Sequence, residues 1–154
     1  MNKFSTFIIL FLLAIIGFGA HKFIFQGSVT KGSDNRTAIV LSTSERQLIL
    51  EEMRGFLTST QQIIQAVADD EMAKLVTAAK KSGRAAQAEV PTSLVGKLPM
   101  AFKKLGFDTH TKFDELAMDA EDMEDSQQSL KLLSQLMQNC IGCHATYQLV
   151  VEKK

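Results

Sequence analysis

The sequence predicts an all-α protein: an antiparallel four-helix bundle preceded by an N-terminal transmembrane or signal segment. Three observations predict it. Helix-favouring Ala, Leu, Met, Gln, Glu and Lys dominate beyond residue 43, Trp is missing, and the two prolines fall at Pro91 and Pro99. Apolar residues in this region recur at spacings of three and four, the period of a helix with one buried face. Ahead of it, Phe4 to Ala20 carries no charge, and an apolar run of that length suits a lipid bilayer on all sides.

Residues 1–25 read as a signal anchor or a signal peptide. Gly17 and Gly19 are small enough for a signal-peptidase site, whereas Phe18 and Ala20 fit that pattern poorly, and Phe23-Ile24-Phe25 prolongs the apolar run. An uncleaved anchor is therefore the favoured alternative, with Lys3 left on the cytoplasmic side. Either way, the rest of the chain is delivered across the membrane. Residues 26–41 read as a flexible tether, since Gln26 to Asn35 is mostly Gly, Ser, Thr, Lys and Asp. The bundle then occupies 42–154.

Its first helix opens at Ser42-Thr43-Ser44-Glu45, where Ser42 and Glu45 have capping-box spacing, and carries an apolar stripe of Ile49, Met53, Phe56, Ile63 and Val67. The second begins at Asp69-Asp70 and fades at Lys80-Lys81-Ser82-Gly83. A connection with Pro91, Gly96 and Pro99 leads to a short helical turn, Met100 to Leu105, which Gly106 should break. Asp108 or Thr109 then caps a third helix through Phe113, Leu116, Ala117 and Ala120. The fourth starts near Asp125-Ser126 and places Leu130, Leu133, Leu136, Met137, Cys140, Cys143, His144, Tyr147 and Val151 along one face.

Charge narrows the partners. Seventeen basic and seventeen acidic residues cancel, so no polybasic surface points to nucleic acid. No paired carboxylates and no Ser/His/Asp spacing point to hydrolysis, and an enzyme is not expected.

Chemistry concentrates in Cys140-Ile141-Gly142-Cys143-His144, which contains both cysteines of the chain. Two thiols at this spacing can add across the two vinyl groups of haem, and the adjacent imidazole then reaches the iron. The expectation is one haem c per chain, bound covalently through Cys140 and Cys143 with His144 as proximal iron ligand. Three alternatives compete. A thioredoxin-like dithiol belongs at a helix start in a βαβ setting, not deep inside a helical pattern. Zinc held by Cys140, Cys143, His144 and His110 requires neighbours Cys143 and His144, about 100° apart on a helix, to bind one small tetrahedral ion. A disulfide enclosing two residues of a helix is strained and staples little. His110, beside an expected helix cap, reads as a partly exposed polar residue or a sixth iron ligand.

The stretch Leu136 to Tyr147 resembles the class II c-type cytochromes, the cytochrome c prime group, in which the haem motif is also C-terminal and a tyrosine follows three positions after its histidine. The resemblance covers roughly residues 42–154 as architecture, and its specific part is the motif with Tyr147. It implies a haem held between helices, with the first helix covering the distal side of the iron. Carried onto this chain, Arg46 would approach a propionate and Leu50 would be the apolar distal residue. Met53 is the alternative, as a distal thioether ligand, and Tyr147 would pack near the haem. Gln148 departs from the family, where a basic residue usually follows the tyrosine.

The function so implied is electron transfer on the periplasmic side of the bacterial inner membrane. The alternative is a five-coordinate haem protein that binds nitric oxide or carbon monoxide. Expected partners are redox proteins, the haem-attachment machinery, the membrane through the N-terminal segment and, as an option, a second copy of the chain in a homodimer.

Overall fold

The computed structural model describes residues 3–152, the side chains of 88 and 89 excepted. It contains six α-helices, a π-helical and a 3-10 turn, and one small sheet. Residues 1 and 2 of the N-terminal segment and 153 and 154 of the C-terminal domain lie outside the described residues.

Helix α1, Lys3–Ala20, continues into a π-helical turn, His21–Gln26. Together they make an apolar helix long enough to cross a membrane, with none of its apolar window buried. The chain then turns sharply at Gly27, whose φ of 66° favours glycine and where a Cβ would collide with the carbonyl of Lys97.

The stretch expected to be a flexible tether is largely ordered. Strands β1, Val29–Lys31, and β2, Thr37–Leu41, pair antiparallel, and Ala38, Ile39 and Leu41 are buried. The partner that orders β2 comes from the far end of the chain. Tyr147–Val151, expected as the end of the last helix, is strand β3, which runs parallel to β2 with Thr37 opposite Tyr147 and Leu41 opposite Val151. Thr37, Ile39, Val40, Val150 and Val151 are β-branched and fit a pleated, half-buried surface better than a helix.

Helix α2, Thr43–Ala68, carries the anticipated capping box: the Glu45 N–H donates to Ser42 Oγ at 3.3 Å and the Ser42 N–H to Glu45 Oε2 at 2.8 Å. Helix α3, Met72–Lys80, is followed by the 3-10 turn Arg84–Glu89 and the short α4, Thr92–Lys97. Helix α5, Met100–Met123, is continuous through Gly106, contrary to the expected break. A helical glycine costs only ~1 kcal/mol, and α5 buries Thr109, Phe113, Leu116, Ala117 and Ala120 beyond it, which outweighs that cost. Helix α6, Ser126–Thr146, starts on Asp125, whose carboxylate accepts from the N–H groups of Gln127 and Gln128.

The main core draws on four helices: Phe56, Ile63 and Ala66 from α2; Leu75, Ala78 and Ala79 from α3; Phe113, Leu116, Ala117 and Ala120 from α5; Leu133 and Leu136 from α6. A second cluster, Ile39, Leu41, Ile49, Leu94 and Leu98, joins the sheet to α2 and α4. Met53 packs against both.

Candidate functional site

The cysteine motif occupies the last two turns of α6. On its way there α6 buries Leu133 and Leu136, and Cys140 packs on the main core. Asn139 donates to Asp108 of α5 at 2.7 Å, which turns the flank carrying Leu132, Asn139 and Cys143 towards α5. Successive helical residues rotate by about 100°, so Leu130, Met137, Ile141 and His144 fall on the other flank. All four are exposed, Ile141 at 59%.

Helix α2 mirrors this arrangement. Its Ser59 accepts from Ser82 at 2.8 Å and its Glu52 meets His110 of α5 at 3.2 Å, which fixes one flank towards α3 and α5. Leu50, Met53, Leu57 and Ile64 occupy the opposite flank. Leu50 and Met53 are half-buried, Ile64 is exposed, and Leu57 is 71% exposed. β2 leads into α2 and β3 leaves α6, and because the ladder is parallel the start of α2 and the end of α6 lie at its opposite ends; the first turn of α2 meets β3, where Arg46 reaches Leu149. The two helices touch sparsely, whereas α2 with α3, α3 with α5 and α5 with α6 pack closely. Leu50, Met53 and Leu57 on α2, and Leu130, Met137, Ile141 and His144 on α6, are thus on the flanks turned away from the contacts with α5.

Both thiols are free and half-buried. Burial, reinforced by the neighbouring Cys140, pushes the Cys143 thiol up to about 11, and burial raises Cys140 as well. A dithiol redox pair needs the reverse, a thiolate stabilised near neutral pH. Among the described residues no group of three or more His, Cys, Asp or Glu side chains could hold a metal ion. The chemistry of the donor set fits haem c: two thiols one helical turn apart, an exposed imidazole beside them, and exposed apolar side chains on the flank of that imidazole.

The remaining candidates are dispersed around the motif. The Arg46 guanidinium donates through Nε to the Leu149 carbonyl at 3.2 Å, tying α2 to β3. The Tyr147 ring stands edge-on to Phe102 at 5.3 Å, and burial raises its phenol above the ordinary range. His110, expected to be partly exposed, is 2% exposed. Its Nδ1 faces the Ser82 and Gly83 carbonyls at 2.8 and 3.2 Å, and its Nε2 faces Glu52. Both ring nitrogens are thus engaged, which removes them from a metal. Burial pulls its pKa down, but the bonds to Glu52 and the Ser82 carbonyl outweigh that and leave it raised.

Sequence reasoning missed Leu57 and Ile64, although they follow Leu50 at successive spacings of seven. It also missed Arg36, whose Nη1 donates to the carbonyls of His144 at 3.1 Å and Tyr147 at 3.2 Å, capping α6 at the motif. Asp34 holds that guanidinium at 2.7 Å. No pattern along the chain announces a contact between residues so far apart. Comparison of the chain with family models, curated proteins and solved structures finds no match.

Proposed function

We propose that this chain is a c-type cytochrome of the class II kind, carrying one haem c in a furrow between α2 and α6 and passing single electrons between redox proteins on the periplasmic side of the membrane. The observation that carries the reading is the Cys140-x-x-Cys143-His144 motif at the end of α6, with an exposed His144 on the same flank as exposed Met137 and Ile141. Met137 and Ile141 on α6, and Leu57 on α2, are exposed and supply apolar side chains that a haem would cover. In this reading α2, α3, α5 and α6 form an antiparallel four-helix bundle, and α1 is its membrane anchor.

The residues divide the work. Cys140 and Cys143 hold the porphyrin through thioethers, formed by addition of each S–H across a vinyl group. His144 ligates the iron, Met53 is the distal ligand, and Leu50 and Leu57 exclude water from the distal side. Arg46 would approach a propionate with the guanidinium nitrogens not used on the Leu149 carbonyl. When bound, haem c supplies one-electron chemistry whose potential follows axial ligation, burial and hydrogen bonding. No catalytic group is assigned.

The test is intact mass after export with a cytochrome-maturation system. The wild type should gain one haem, and Cys140→Ala with Cys143→Ala should gain none; an unmodified wild-type mass would overturn the proposal. A spectrum of the reduced protein, with and without carbon monoxide, then settles the distal side. Low-spin iron insensitive to the gas, made high-spin by Met53→Ala, supports the electron carrier. High-spin wild type that shifts on adding gas assigns the distal position to Leu50 and makes the protein a trap for diatomic gases.

A further inference from the structure

Across α2 from the furrow lies a cavity of about 410 Å³, within the size range of small-molecule sites. Ile49, Phe56, Leu94, Leu98 and Phe102 give it apolar walls, and the Glu52 carboxylate with the buried His110 forms its polar end. Glu52 engages His110 through Oε1 and is a third exposed, so the carboxylate retains acceptor capacity.

Two further features single the cavity out. Gly55 lines it from the middle of α2, where a glycine costs ~1 kcal/mol against alanine, yet a Cβ there would meet nothing within 4 Å. A side chain added at Gly55 would therefore have open space to enter, which makes it the position from which α2 can fill the cavity. The wall made by α4 and the start of α5 is also fastened to the end of the apolar helix. Ser28 N–H donates to the Lys97 carbonyl at 2.7 Å and Lys103 Nζ to the Ile24 carbonyl at 2.9 Å. With α1 inserted in a bilayer, this cavity stands at the membrane surface.

We propose that the cavity binds a small phenol or hydroquinone from the membrane, with its ring and apolar substituents among Ile49, Phe56, Leu98 and Phe102 and its hydroxyl donating to Glu52. Glu51 and Lys81 line the cavity as well, but Glu51 is exposed and Glu52 half-buried against His110. A phenolic donor matches the Glu52 carboxylate, the walls require an apolar body, and the neighbouring bilayer concentrates molecules of that kind. The cavity and the furrow lie on opposite flanks of α2, so this site does not depend on the haem reading.

Equilibrium dialysis of 4-butylphenol against the full chain in phospholipid nanodiscs, with protein-free nanodiscs as blank, tests the site. Saturable binding to the wild type is expected. The methyl ether, 4-butylanisole, should bind at least tenfold more weakly, because it lacks the donor for a charged acceptor. Gly55→Leu, which fills the cavity and favours the helix, should abolish phenol binding without lowering the melting temperature. Met137→Ala, on the furrow, should leave it unchanged. No saturable binding to the wild type, equal binding of phenol and ether, or undiminished binding to Gly55→Leu would each overturn the proposal.

Discussion

The seam between α3 and α5 and the seam between α2 and α6 use the same side-chain types to opposite ends. Leu75, Ala79, Phe113 and Leu116 are fully out of water at the first, in close-packed contact of the kind that stabilises a fold. At the second, Leu57, Ile64, Met137 and Ile141 stay in water. Burial of such side chains is worth ~1.5–3 kcal/mol each, so a group that covered them would add stability there. The contrast teaches that the hydrophobic pattern of α2 serves two masters. One stripe holds the protein together, and the adjacent stripe is left for the haem proposed above to cover.

The largest effect expected from this contrast is at the closed seam. Phe113→Ala should destabilise the protein by ~3–5 kcal/mol, read from urea unfolding, and by the same amount whether or not the two cysteines are present. A loss near zero would mean that α3 and α5 are not the structural half.

A smaller and more discriminating effect belongs to the furrow. In protein with Cys140→Ser and Cys143→Ser, Leu57→Lys should change stability by no more than ~0.5 kcal/mol, because Leu57 is solvated there. In protein matured with haem the same substitution should cost ~1.5–3 kcal/mol. Equal costs in the two backgrounds would show that nothing covers the furrow.

The smallest effect concerns the flank of α2 that faces α5. The raised pKa of His110 means that the folded state binds its proton more tightly than the unfolded state does. The resulting stability is complete below the unfolded value, about 6.5, and is lost as pH rises through the folded value above it. Urea midpoints measured across this window should therefore fall with pH more steeply in the wild type than in Glu52→Gln, which removes the charged partner. Parallel slopes would exclude Glu52 as the source of the shift.

Much of this architecture is legible along the chain because it is local. The capping box at Ser42 and Glu45, the Asp125 cap and the apolar stripe of α5 each lie within a few residues of sequence, where helix geometry alone fixes the partners. The cysteine motif is equally local. What escaped is non-local. Thr37–Leu41 is too short to declare itself a strand without Tyr147–Val151, and helical spacing carried the reading of α6 past Thr146 because Tyr147 and Val151 happened to continue its period. His110 escaped for the same reason: its partners, Glu52 and the Ser82 carbonyl, arrive from two other parts of the chain.

The pairing of β2 with β3 also sets an order in time. The ladder joins residues 37–41 to residues 147–151, so it can close only after nearly the whole chain has emerged, and a contact of such sequence separation forms late. Until then β2 presents an unpaired edge, a hazard for aggregation, and the Cys140–His144 segment remains in a chain not yet locked at its end by Arg36. Removing β3 would leave that edge of β2 open and the end of α6, where Arg36 meets the His144 and Tyr147 carbonyls, without the strand that follows it.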